Sequence, residues 1–240
     1  MKIGILGADG RMGRVVVAEL ETGLHGARLG AAVDVDHDKA AAFQRCDGMI
    51  DFTSPRAVAE HADLAVTYKK PLVVGTTGLT AAGEAALFAA SKKIAVFQAA
   101  NMSVGVNLLV ALVKQAAATL GKEFDIEIFE AHHKHKIDAP SGTALALGQA
   151  AAAGRGADLE NVMSLDRAGK RNDGDIGFSV FRGGDVVGEH TVTFAGTGER
   201  IDLSHKATDR AIFARGAIRA AVWLKDKPAG FYAMRDMLGF

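Results

Sequence analysis

The residues best suited to chemistry lie in one run: Glu130-Ala131-His132-His133-Lys134-His135-Lys136-Ile137-Asp138-Ala139-Pro140-Ser141-Gly142-Thr143. Three of the chain's eight histidines fall within four positions there, beside two lysines. The protein as a whole carries 28 basic and 28 acidic residues, so this is a local concentration of positive charge on a neutral chain. An imidazole with a pKa near ~6.5 exchanges a proton at neutral pH. A lysine beside it anchors a carboxylate and discourages a second positive charge on its neighbour. Pro140-Ser141-Gly142 reads as a helix start, whose free backbone amides hold carboxylates. These residue types describe a site for an anionic substrate with a proton donor. Two other readings stand beside it. One is a solvated basic loop, the usual meaning of a charge run. The other is a transition-metal site through His133, His135 and Asp138, against which the interleaved ammonium groups weigh by repelling a cation.

A second constellation is Gly7-Ala8-Asp9-Gly10-Arg11-Met12-Gly13, a G-x-x-G-x-x-G variant of the dinucleotide fingerprint. Glycine permits the tight turn and lets backbone amides approach a pyrophosphate at a helix N-terminus. An acidic residue at the end of the next strand would accept the ribose hydroxyls. Asp34 stands 21 residues after Gly13, close to the ~20 expected. Gly75-Thr76-Thr77-Gly78 and Ala99-Ala100-Asn101-Met102-Ser103 follow expected strands, either as plain turns or as further cofactor contacts.

The elements that must position these residues alternate along the first hundred positions. Strands are expected at 2–6, 29–35, 49–52, 72–74 and 94–98, with helical spacing of Met12, Val15, Val16 and Leu20 between the first two. Ser54-Pro55 predicts a capped helix running to about Tyr68, and Thr80 opens another. Such alternation indicates a parallel sheet covered on both faces. After Asn101 the pattern changes to a long apolar helix over 104–120, a strand at 125–131 and a helix over 142–153. A polar stretch with little periodicity covers 154–175. Strands at 176–182, 185–194 and 200–206 then follow in the manner of antiparallel meanders, and a last helix from Arg210 to about Lys225 returns to the first layer. The fold class expected is α/β, a Rossmann-like parallel sheet domain followed by an α+β mixed-sheet domain.

Hydrophobic residues make up 49% of the 240, enough for a real core. The balanced charge lacks the basic excess of a nucleic-acid binder. A single cysteine, Cys46, excludes an intramolecular disulfide framework and a multi-cysteine zinc site. It also lies outside the reactive run, which disfavours a thiol-based aldehyde oxidoreductase. The opening Met-Lys-Ile-Gly-Ile-Leu-Gly is no signal peptide, and no apolar stretch approaches the ~18 residues of a membrane span. A cytoplasmic protein with no metal, membrane or nucleic-acid partner is expected.

Several motifs taken together resemble the dihydrodipicolinate reductase family. They are Gly7-x-x-Gly10-Arg11-Met12-Gly13, Asp51-Phe52-Thr53, Gly75-Thr76-Thr77-Gly78, Asn101-x-Ser103-x-Gly105-Val106-Asn107, and Glu130-Ala-His-His-x-x-Lys136-x-Asp-Ala-Pro-Ser-Gly-Thr143. Gly188-Glu-His190-x-Val192-x-Phe194 and His205-x-Ala-x-x-Arg210-x-x-Phe213-Ala-x-Gly216-Ala agree as well, so the resemblance spans nearly the whole chain in order. It implies reduction of the cyclic diacid 4-hydroxy-tetrahydrodipicolinate, with loss of water, by NADH or NADPH in lysine and diaminopimelate synthesis. It further implies His132 and Lys136 as the proton-transfer residues, and His133, Ser141, Gly142 and Thr143 as substrate contacts. The cofactor would be held by Gly7, Ala8, Asp9, Gly10, Arg11, Met12, Asp34, Phe52, Gly75, Thr76, Thr77, Ala99, Ala100, Asn101 and Met102. Residues 1–103 with 213–240 would form the dinucleotide-binding domain, and 104–212 the substrate-binding domain through which a homotetramer assembles. A non-catalytic dinucleotide-binding regulator on the same scaffold is the alternative.

Two departures bear on the cofactor. Val35 follows Asp34 where the family often has arginine, which favours NADH over NADPH unless His37, Lys39 or Arg45 compensates. The chain is also shorter between Asp34 and Asp47, trimming the loop on the adenosine side. Lys134 and His135 acquire no role.

Overall fold

Buried aliphatic runs build the first sheet. Ile3, Ile5, Leu6, Met49, Ile50, Leu72, Val73, Val74 and Val96 are sealed from solvent in β1 (Lys2–Leu6), β3 (Gly48–Asp51), β4 (Leu72–Val74) and β5 (Ala95–Gln98), with β2 (Arg28–Val33) beside β1. Strands covered on both faces need no alternation, which is why they read as continuous apolar stretches. Helices α1 (Arg11–Glu21), α2 (Lys39–Arg45), α3 (Val58–Thr67) and α4 (Ala81–Ser91) connect them. The computed structural model describes residues 1–240, which divide into one unit of residues 1–104 with 210–240 and a second of 105–209.

One local expectation is corrected here, and one unexpected helix is added. Ser54 does not cap a helix: its carbonyl accepts from the Ala57 amide at 3.0 Å, closing a turn, and α3 begins only at Val58 with no side-chain cap. The segment after Asp34 holds α2, which the periodicity did not reveal because it has only seven residues. Asp38 caps it by accepting from the Ala41 amide at 3.0 Å.

In the second unit, α5 (Val104–Leu120) leads to β6 (Asp125–His132), and α6 (Gly142–Gly154) and the short α7 (Leu159–Val162) precede β7 (Met163–Ser164). Strands β8 (Ile176–Arg182), β9 (Gly188–Gly196) and β10 (Glu199–Ala207) complete a sheet of order β10-β9-β6-β8-β7. The expected meander is therefore wrong for its first strand. Only β9 and β10 form an antiparallel hairpin, while β8 lies on the other side of β6 and runs parallel to it. The connection from β8 to β9 crosses the end of β6, where the Gly183 amide donates to the His132 carbonyl at 3.0 Å. Alternation along a strand marks its buried face but is silent about its neighbours. Ile126, Ile128, Phe178, Val192 and Phe194 pack from this sheet against Leu109 and Val113 of α5 and Leu147 and Ala151 of α6. Phe129 and Phe181 alternate to the other face and remain exposed.

The stretch Val104–Glu123 is, by length and composition, apolar enough to cross a membrane, contrary to the expectation that no stretch approaches that length. The residues between Val104 and Gly121 carry a single charge, Lys114. Leu109, Val113 and Ala117 nevertheless give this helix a place in the core of the unit.

The chain then returns to the first unit. Helix α8 (Ala211–Leu224) sets Ala214, Ala217, Ile218, Ala221 and Leu224 into the cluster formed by Ile3, Ile5, Val16 and Leu20. Arg215 of α8 pairs with Glu19 of α1 through two contacts of 2.9 and 3.1 Å. Strand β11 (Gly230–Tyr232) adds to β5 in parallel, giving the order β11-β5-β4-β3-β1-β2, and the helix α9 (Met234–Leu238) ends the fold.

Candidate active site

Strand β6 is central in its sheet, and residues two apart on it share a face. Ile126 and Ile128 carry that face into the core, and Glu130 and His132 continue it to the strand end. Glu130 is fully buried. Arg182, the cross-strand partner of His132 on β8, forks onto its carboxylate with two bonds of 2.8 Å. The Ser141 amide donates to Oε1 at 2.9 Å, and His132 Nδ1 is bonded to Oε2 at 2.5 Å. Burial alone would raise this carboxyl's pKa, but Arg182, His132 and the Ser141 amide together hold it below the ordinary glutamate value. His132 is itself pushed below the usual imidazole value by burial, which outweighs the opposing pull of Glu130.

Ser141 forms the N-cap of α6 and faces inward. Its hydroxyl accepts from the Ala144 amide at 3.2 Å and is bonded to His190 Nε2 at 3.1 Å. His190, opposite Glu130 on β9, is 3% exposed, and burial lowers its pKa to about 4. Its ring meets that of His132 edge to face at 5.1 Å. The loop beyond β6 brings Lys136 Nζ to Asp138 Oδ1 at 2.8 Å, and the Asp138 carbonyl accepts from Arg182 at 2.7 Å. A continuous chain of contacts thus links Lys136, Asp138, Arg182, Glu130 and His132. Gly142 is exposed at the first turn of α6, with nothing within 4 Å of where a side chain would start. Thr143 and His133 are half-buried; Lys134 and His135 are exposed.

The metal reading does not gather as drawn from the sequence. The groups that converge within 4.8 Å are Glu130, His132 and His190, not His133, His135 and Asp138. The Glu130 carboxylate already serves a guanidinium, an amide and an imidazole.

In the first unit, the Gly7 and Ala8 amides donate to the Val33 carbonyl at 2.9 and 3.0 Å, and Gly7 adopts φ +80°, a conformation suited to glycine. A side chain at Gly13 would start 2.0 Å from the Gly7 carbonyl oxygen, so only glycine lets α1 approach the turn. Asp34 accepts from the Asp9 amide at 3.0 Å and from the Val35 amide at 2.9 Å, and these bonds lower its pKa. A cleft of about 700 Å³ opens here, with Gly7, Asp9, Gly10, Asp34 and Phe52 in its wall beside Val35, Arg56 and His61.

The other expected cofactor residues lie outside that wall. Ala8 is buried, Arg11 exposed, and Met12 packs partly on the core. Gly75 closely approaches the Phe52 ring, Thr76 turns its hydroxyl inward to Asp51 at 2.9 Å, and Thr77 is exposed. Ala99, Ala100 and Asn101 follow β5, and Met102 is buried in the core. All of these segments share the C-terminal edge of one parallel sheet.

Arg182 and His61 stand in none of the motifs read from the sequence, while Asp51, Glu130 and His190 stand in quoted motifs without a role. The i, i+2 spacing of Glu130 and His132 was the available signal. Nothing local to Arg182 marks it, and the motif from Gly188 to Phe194 marks His190 without giving its partner.

Residues 1–102 match the family model for the N-terminus of dihydrodipicolinate reductase, and residues 105–238 match that for its C-terminus. The chain is 50% identical to the 4-hydroxy-tetrahydrodipicolinate reductase of Zymomonas mobilis, covering 100% of this chain and 97% of that one. It is also 50% identical to the enzyme of that name from Caulobacter vibrioides, covering 100% and 98%. In fold it is similar to a dipicolinate-bound dihydrodipicolinate reductase from Paenisporosarcina sp. TG-14, with TM-score 0.79, 23% identity and 97% of each chain covered. A scyllo-inositol dehydrogenase from Lactobacillus casei with bound NAD(H) shares the fold more distantly, with TM-score 0.59, 14% identity and 99% and 93% covered. Full-length identity at this level, with both family models matched in order, means that the chain belongs to the dihydrodipicolinate reductase family.

Proposed function

We propose that this protein reduces 4-hydroxy-tetrahydrodipicolinate to tetrahydrodipicolinate, with loss of water, in lysine and diaminopimelate synthesis. The observation that carries the reading is the buried Glu130–His132 pair, braced by Arg182 and bonded to the Ser141 amide at the start of α6. Nothing in that site, nor in the names of the relatives, favours a non-catalytic regulator.

A nicotinamide dinucleotide fits the first unit, because Gly7, Gly10 and Gly13 keep the turn clear of side chains and Asp34 is held by backbone amides at the end of β2. When bound, it supplies a hydride. The residues of this chain do the rest. Gly142, Thr143 and the first amides of α6 hold one carboxylate of the diacid, with His133 beside them. Lys136 exchanges Asp138 for the substrate and offers its ammonium to the anion that hydride addition creates. The bond to Glu130 occupies the Nδ1 side of His132, leaving Nε2 to deliver or receive the substrate proton. Ser141 acts from behind, fixing the helix start against Glu130 and His190.

The first unit is the dinucleotide-binding domain, and Arg11, the 75–77 turn and the 99–102 segment complete its cofactor contacts. Asp34 followed by Val35 favours NADH, since a carboxylate repels the 2′-phosphate of NADPH. The exposed face of the mixed sheet, with Phe129 and Phe181, joins copies into a homotetramer, and the enzyme works in the cytoplasm.

The test is NAD(P)H oxidation in a coupled assay that generates the unstable substrate. Turnover with kcat/KM greater for NADH is expected. No turnover at any pH would sink the activity, and a tenfold preference for NADPH would overturn the role given to Val35.

A further inference from the structure

One buried group in the cofactor cleft has work left to do. Asp51 ends β3 and is fully buried. Its Oδ1 accepts from the Thr53 amide at 2.9 Å, the Thr53 hydroxyl at 2.6 Å and the Thr76 hydroxyl at 2.9 Å. Its Oδ2 lies 2.7 Å from Nδ1 of His61, a residue of α3 that is 1% exposed. The other ring nitrogen, Nε2, is buried and has no hydrogen-bond partner, although His61 stands in the wall of the cleft. An unpaired polar atom bears its desolvation cost without return, so such an atom at a ligand cleft marks a position for a ligand group.

The partner's chemistry follows from the ring. A carboxylate only accepts, so Nδ1 donates to Asp51, and the tautomer this bond selects carries its lone pair on Nε2. An acceptor in the wall calls for a donor on the ligand. With Asp34 on the ribose hydroxyls, as the proposed cofactor site requires, the base attached to that ribose enters beside Val35 and Phe52, close to His61. Val35 is 80% exposed and offers an apolar surface for a flat ring. Adenine carries one donor on its exposed edge, the 6-amino group.

We propose that Nε2 of His61, oriented by Asp51, accepts a hydrogen bond from the adenine 6-amino group and selects adenine over 6-oxopurine dinucleotides. His61 is the base-reading residue of the cleft, and Asp51 positions it. The assignment rests on the dinucleotide reading of this unit.

The experiment compares binding of NADH and reduced nicotinamide hypoxanthine dinucleotide by titrating the intact protein. The hypoxanthine analogue carries a carbonyl oxygen in place of the amino group and a proton on N1, one position further along the ring edge. NADH is expected to bind at least ~10-fold more tightly, about 1.4 kcal/mol. In His61→Phe, which keeps a flat ring and removes the acceptor, that ratio should fall to near one through weaker NADH binding. His61→Gln, whose amide can donate or accept, should tolerate both bases. Equal binding to the native protein, a preference for the analogue, or an unchanged ratio in a folded His61→Phe would each overturn the assignment. If His61→Phe fails to fold, the native ratio still decides. Failure of both dinucleotides to bind would instead overturn the cofactor reading itself, and this assignment with it.

Discussion

Glu130 is a buried carboxylate made tolerable by its donors, and it aims His132. Replacing it by glutamine keeps the volume but puts an amide donor where acceptors are needed, leaving the Arg182 fork partly unpaired. Glu130→Gln should lower kcat by about 10²-fold, and His132→Gln by roughly 10²–10⁴-fold, the range for loss of a positioned proton-transfer group, with KM little changed. Steady-state kinetics separates the two parameters. The pH profile carries a sharper expectation. Burial holds the His132 pKa below its usual 6.5, while the bond and charge of Glu130 pull it upward. Removing Glu130 must therefore move the limb of the kcat profile that His132 governs to lower pH. A limb that stays in place or moves up would show that His132 is not the group titrating.

At the scale of elements, glycines decide how closely α1 and α8 approach their neighbours. A side chain at Gly13 would start 2.0 Å from the Gly7 carbonyl oxygen, so Gly13→Ala must part the turn from α1. We expect NADH affinity to fall more than ~10-fold, with the helical circular dichroism unchanged. Gly216 on α8 is tighter still, with its would-be Cβ 1.7 Å from the Met102 carbonyl oxygen. Gly216→Ala should cost about 1–3 kcal/mol of stability in urea unfolding, as overpacking does. Much at this scale was legible in the sequence. The runs at 2–6, 72–74 and 104–120 coincide with β1, β4 and α5 because long or fully buried segments imprint an unmistakable pattern. Helix α2, with seven residues, and β11, with three, are too short to show a period. The start of α3 is not legible at Ser54-Pro55, because that pair suits a turn as well as a cap.

For the whole molecule, acid stability is set in part by His190. Its pKa is about 4 in the folded protein against 6.5 as the unperturbed value. Between those values the unfolded chain binds a proton that the fold refuses, so stability rises with pH and is lost as pH falls from about 6.5 to about 4. The shift corresponds to roughly 3 kcal/mol. Glu130, held below the ordinary value of 4.5 chiefly by Arg182 and His132, withdraws its own contribution only below that pH. Unfolding midpoints at neutral pH and near pH ~4.5 should converge between native protein and His190→Gln. A constant gap would remove His190 from the account. Assembly belongs to this scale too. If the open face of the mixed sheet joins the copies, Phe181→Glu should shift sedimentation to smaller species, since Phe181 is 47% exposed on that face.

The amino-acid order determined the local features of this protein: the glycine turn before α1, the acid at the end of β2, and the run from Glu130 to Thr143 between a strand and a helix. These are contacts among near neighbours, where spacing alone tells which side chains share a face. Tertiary structure decided who stands opposite whom. Arg182 reaches Glu130 across 52 residues and His190 reaches Ser141 across 49, because β6 lies between β8 and β9. Periodicity along a strand assigns faces, but only the pairing of strands assigns neighbours. The residues that brace the reactive run therefore became visible only once the sheet was assembled.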